Sequence, residues 1–134
     1  MSQVIIKTNS FHVTDETKYR KLIKQLIGET QDIRFRDMVE PNGKKRHSFA
    51  AFSEIKFLEG KQVSNLDQFF QKLQEILLSN EAVICMKLFN EDLGYVNGYV
   101  TMITSKRIMQ KSLSDWGTEA ALLTMGHVPD NITI

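Results

Sequence analysis

The apolar positions cluster most densely in Ala82-Val83-Ile84-Cys85-Met86-Lys87-Leu88-Phe89, where Lys87 is the one polar residue. A strand carrying apolar side chains on both faces belongs in the middle of a sheet, so this segment is predicted to be the least exposed of the chain. Asn90-Glu91-Asp92-Leu93-Gly94 supplies turn chemistry after it. From Tyr95 to Thr104 the pattern alternates, with Tyr95, Asn97, Tyr99, Thr101 and Ile103 on one side and Val96, Gly98, Val100 and Met102 on the other. Ser105-Lys106-Arg107 is a turn or bulge, and Ile108 to Leu113 continues as an edge strand. Residues 82–113 therefore read as a three-stranded antiparallel meander. Gly98, inside a strand, marks a bulge or a close backbone approach.

Upstream, the β-branched run Val4-Ile5-Ile6 opens the chain as a strand. Tyr19, Leu22, Ile23, Leu26 and Ile27 follow at helical spacing, with Thr14 or Asp15 to cap the start and Gly28 to end the helix. Ile33, Phe35 and Met38-Val39 make a second strand, reversed by Pro41-Asn42-Gly43-Lys44. The third strand runs from about Arg46 to Phe57, with His47, Phe49, Ala51, Ser53, Ile55 and Phe57 on one parity and Phe52 on the other. Gly60 to Val63 is a connector. Leu66, Phe69, Phe70, Leu73, Ile76 and Leu77 trace a second helix behind an Asn65 cap with Gln68 three residues on. Ser114 can cap a third helix holding Trp116, Ala120 and Leu123, which Gly126 and Pro129 stop.

The order β-α-β-β-α-β-β-β-α gives an α+β fold with an antiparallel sheet: a ferredoxin-like start, then the C-terminal meander and helix. Two helices cover one sheet face. The apolar second face also needs a cover, either the third helix or a second subunit in a homodimer.

The 134 residues fit one α+β domain spanning 1–134. No apolar run reaches the roughly 18 residues that cross a bilayer, and the short Val4-Ile5-Ile6-Lys7 stretch lacks the features of a signal peptide, so the expected compartment is the cytoplasm, without a membrane partner. Seventeen Lys plus Arg against 16 Asp plus Glu leave a net charge of +1. That excludes a DNA mimic, which needs a large negative excess to reproduce the phosphate field. The single cysteine, Cys85, sits in the most apolar strand and reads as a small hydrophobe.

Few residues suggest chemistry. The third strand of an RNA-recognition motif carries basic and alternating aromatic residues, a pattern met at Lys45, Phe49 and Phe52 with His47 where a stacking aromatic would stand, which makes Lys44, Lys45, Arg46, His47 and Phe49 the candidate RNA contacts. Arg46 replaces the usual glycine, and the first strand offers isoleucine instead of a stacking aromatic, so half the platform is missing. His12, His47 and His127 have no metal-ligand spacing, and Asp32, Asp37, Glu40, Glu91 and Asp92 contain no evident acid–base pair. No catalytic residue, cofactor site or metal site is expected. Tyr95, Asn97 and Tyr99 form a tyrosine-rich strip of the composition favoured in protein interfaces; the alternative is that they lie beneath the third helix.

Gly94-Tyr95-Val96-Asn97-Gly98-Tyr99-Val100, followed by Ile103-Thr104-Ser105, resembles small accessory proteins of phages and mobile elements of Gram-positive bacteria. The first helix, the Asp67-Gln68-Phe69-Phe70 helix and the meander extend the resemblance over most of the chain. It implies a non-enzymatic binding protein that inhibits or modulates a partner, such as an anti-CRISPR protein acting on a host nuclease complex. Charge leaves direct protein binding or interference with guide RNA through Lys44-Lys45-Arg46. A small RNA-binding accessory domain is the alternative, and a small enzyme the third reading.

Overall fold

A computed structural model describes residues 3–28, 33–90, 96–115 and 122. The elements are β1 (Gln3–Thr8), α1 (Glu16–Lys24), β2 (Leu26–Gly28), β3 (Ile33–Val39), β4 (Lys45–Ala51), β5 (Ile55–Glu59), β6 (Gln62–Ser64), α2 (Leu66–Gln74), β7 (Ala82–Asn90), β8 (Val96–Thr104) and β9 (Ile108–Ser112). The protein is α+β. Six strands form an antiparallel sheet in the order β3-β4-β1-β7-β8-β9, whose first four positions reproduce the ferredoxin-like order. The meander β7-β8-β9 extends the sheet beyond them.

Local chemistry sets the boundaries. The Asp15 side chain accepts from Lys18 N to cap α1, and Asn65 accepts from Asp67 N to cap α2. The β3–β4 reversal closes with Glu40 N donating to Lys44 O at 2.8 Å, and Gly43 takes a left-handed φ of +84°. At the β8–β9 turn, Arg107 N donates to Thr104 Oγ1 at 3.0 Å.

Three sequence-based expectations are corrected. The first helix does not run to Gly28. It ends at Lys24, and Leu26–Gly28 pairs with Ile55–Phe57, because burying Leu26 in a second sheet outweighs one more helical turn. The long third strand breaks at Phe52-Ser53-Glu54. Its parity survives the break, so Ala51, Ser53, Ile55 and Phe57 all stay buried while β5 joins the small β2-β5-β6 sheet. Gly60 to Val63 is no mere connector, since Gly60 turns at φ +64° and Gln62–Ser64 pairs back on β5. Leu113 to Asp115 begin a helix after β9; the rest of the expected third helix, with Trp116, Ala120 and Leu123, and the turn 91–95 lie outside the described residues.

The core fills the space between the sheet and α1, α2 and the small sheet. Phe69 is at its centre, with ring centroids 5.7 Å from Phe49, 6.1 Å from Phe57 and 6.0 Å from Phe70. From the sheet, Ile6, Phe49, Ala51, Val83, Cys85 and Ile103 point into it.

Candidate functional site

Alternation sends the other half of each strand outward. On β7, Val83 and Cys85 are buried, yet Ile84 and Met86 are 37% and 42% exposed. The expectation that this strand is the least exposed of the chain is therefore corrected: among the described residues, α1, α2 and the small sheet pack on one side of it. Register places the outward residues in rows across the sheet. Leu88 stands between Ile5 and Gly98, Met86 between Lys7 and Val100, and Ile84 beside Met102, which pairs with Met109. Met86, Val100, Met102, Met109 and Leu113 line a depression of about 410 Å³ with Lys111 and Ser112 at its border. Methionine suits such a surface, because its unbranched, polarizable side chain adapts to whatever packs on it. Towards β3 the same face turns cationic through Arg34, Arg36 and Arg46, and the Arg34 guanidinium lies 5.9 Å from the ring centroid of exposed Phe52.

The residues singled out in the sequence fall elsewhere. Asn97 and Tyr99 share the parity of buried Thr101 and Ile103, so they lie on the helix side. There Tyr99 meets Phe89, centroids 5.9 Å apart, and lines a small cavity with Phe70, Lys87 and Gln110. Tyr95 is outside the described residues. His47 and Phe49 are each 2% exposed and face the core, which removes them as stacking groups for RNA. Lys44 and Lys45 remain at the hairpin, and Arg46 Nε lies 3.7 Å from a Glu40 oxygen.

Two histidines that look isolated in the sequence are each held by two carboxylates. His47 Nδ1 is 2.8 Å from Asp37 and Nε2 is 2.7 Å from Glu16, while its ring stacks on Tyr19 with centroids 4.3 Å apart. His12 Nδ1 is 2.8 Å from Glu81, and its Nε2 contacts Glu40. The hairpin carries the signal for the first clamp: reversal at Pro41-Asn42-Gly43-Lys44 sets Asp37 opposite His47. The second needs long-range packing that no local pattern encodes.

Each clamp joins elements distant in sequence: His47 links α1, β3 and β4, and His12 links Glu40 to Glu81. In both imidazoles each ring nitrogen is engaged by a carboxylate of the chain itself. Their carboxylates approach different nitrogens and so diverge; among the described residues no three His, Cys, Asp or Glu side chains converge as metal ligands. Burial pushes the Cys85 thiol up to about 12, away from reactivity. Burial, with the nearby charges of Asp37 and Glu16, raises the Tyr19 phenol further.

Hydrogen bonds to Glu81 and Glu40 raise the His12 pKa above its ordinary 6.5. Its stabilisation is therefore fully present below pH 6.5 while the carboxylates stay ionised, and it is lost as pH rises through the raised value. Urea midpoints of the wild type and His12→Gln should accordingly differ most near pH 6 and converge at alkaline pH. A gap that is constant over this range would show that the imidazole charge contributes nothing.

No family model, characterised protein or solved structure matches this chain.

Proposed function

We propose that this chain is a non-enzymatic binding protein that inhibits or modulates a protein partner docked on the open face of its six-stranded sheet. The exposed row structure of Ile5, Ile84, Met86, Met102 and Met109 carries the reading. Interfaces are enriched in methionine and arginine and depleted of acids, and this face joins a methionine centre to Arg34, Arg36 and Arg46. Among the described residues no helix is long and apolar enough to cross a membrane. The finer reading, a phage or mobile-element inhibitor of a host defence nuclease, is supported by the sequence resemblance alone.

The test is cleavage of target DNA by purified RNA-guided nucleases, with the wild type or Met86→Lys added. The wild type should slow cleavage by one nuclease class. Met86→Lys, its charge placed at the centre of the face and opposite Lys7, should need at least about tenfold more protein while still melting cooperatively, a few degrees below the wild type. Undiminished inhibition by the variant sinks the face as the binding surface, and unimpeded cleavage by every class sinks the nuclease reading.

The arginine side of the face supports RNA binding as a second reading, with Phe52 as the available aromatic. Size exclusion with RNA separates the two, because RNA held by arginine should come off as salt rises.

A further inference from the structure

The outer edge of β3 is a second surface, bordering the sheet face and sharing Arg34 and Arg36 with it. β3 is the terminal strand of the six-stranded sheet, and among the described residues it pairs with β4 alone. Six of its seven residues are exposed, from Arg34 to Val39. Edges of this kind are usually blunted by proline, a bulge, a covering segment or charged side chains, and β3 carries the last of these in Arg34, Arg36 and Asp37. Here the register runs without interruption from Ile33 to Val39, and the strand contains no proline.

The hydrogen-bond pattern shows which backbone groups face outward. His47 exchanges both backbone bonds with Phe11, at 2.9 and 2.7 Å, on the side of β4 away from β3. Its β3 partner Asp37 thus belongs to a wide pair, in which both residues turn their N–H and C=O groups away from one another. Glu40, donating to Lys44, has the inward parity. Alternation then directs the N–H and C=O groups of Phe35, Asp37 and Val39 to the open edge.

The side chains select what can add there. Arg34 and Arg36 lie on the open face, while Phe35 and Val39, 40% and 65% exposed, lie on the other. Asp37 is already engaged by His47. A second copy of the chain meets like charges in three of the registers open to it. Antiparallel self-pairing centred on Phe35, Arg36 or Asp37 sets Arg34 against Arg36, Arg36 against itself, or Asp37 against itself, and like charges directly opposite are unfavourable.

We propose that β3 accepts an extended peptide of alternating acidic and apolar residues as a seventh strand of the sheet. Its acids lie beside Arg34 and Arg36, and its apolar residues beside Phe35 and Val39. The peptide's backbone bonds the outward groups of Phe35, Asp37 and Val39, so main chain provides affinity and the arginines provide selection. The site does not depend on the open-face reading above.

Fluorescence anisotropy tests it with a labelled seven-residue peptide alternating glutamate and valine, and with its lysine–valine counterpart. The acidic peptide should bind at least tenfold more tightly, and Arg36→Glu should reverse the preference. Val39→Pro removes an outward N–H without touching the β3–β4 ladder, and should weaken the acidic peptide at least tenfold. In hydrogen exchange, the amides of Phe35, Asp37 and Val39 should slow when the peptide is added. Met86→Lys should bind the peptide like the wild type, which separates this site from the sheet face. Equal affinity for both peptides, no binding of either, or an unaltered preference in Arg36→Glu overturns the proposal. So does protection of those amides without peptide, accompanied by a doubled mass in light scattering, which would make the occupant a second copy.

Discussion

Gly98→Val should lower the thermal midpoint by about 10 °C, a loss of about 3 kcal/mol for a chain of this size. A Cβ built at Gly98 falls 2.3 Å from Lys87 O, 2.9 Å from Leu88 Cδ2 and 3.2 Å from Leu88 Cα. Two of those atoms are backbone in the central strand β7, which β1 and β8 hold from both sides. The clash cannot be relieved by turning a side chain. Either the β7–β8 ladder separates at Leu88 and Gly98, or the strand shifts and disturbs the packing of Val83 and Cys85 beneath it. Valine is otherwise favoured in strands, so propensity alone would point to a gain. Circular dichroism melts of the wild type and Gly98→Val decide between them: a shift under about 2 °C would mean that the sheet adjusts freely at this point.

Gly98 also shows what the sequence could and could not reveal. A glycine in an alternating run signals either a bulge or a close approach, and the unbroken register from Ala82↔Thr104 to Asn90↔Val96 selects the close approach. The ferredoxin-like order and the meander were legible because periods of 2 and 3.6, with turn residues between them, mark each element. The β2-β5-β6 sheet was not, since pairings as short as Leu26–Gly28 with Ile55–Phe57 are too brief to show a period. Nor was the candidate surface. Ile84 and Met86 look the same in sequence whether a layer covers them or not, so an open face reads as a buried one. Asn97 and Tyr99 drew attention by residue type, while the apolar rows on the other side of β8 come from the opposite parity, Val100 and Met102.

His47→Leu should cost about 3 kcal/mol, more than its counterpart at His12. His47 is 2% exposed and bridges three elements, with Glu16 on α1, Asp37 on β3 and its own strand β4. Leucine fills much of the volume but supplies no donor, so the carboxylates of Asp37 and Glu16, held on different ring nitrogens, lose their shared partner and face an apolar group. The ring contact with Tyr19 goes as well. Because Glu16 and Asp37 are themselves 43% and 47% exposed, water recovers part of their charge, and the loss stays below that of a fully enclosed pair. Adding Glu16→Gln and Asp37→Asn to His47→Leu should therefore restore more than half of the stability, measured by urea unfolding. If neutralising the carboxylates restores nothing, the loss comes from ring packing and not from the clamp. His12, 19% exposed at the hairpin end, has less to lose on the same logic. Restoration would identify the two carboxylates left without a partner, and not the missing ring contacts, as the source of the instability.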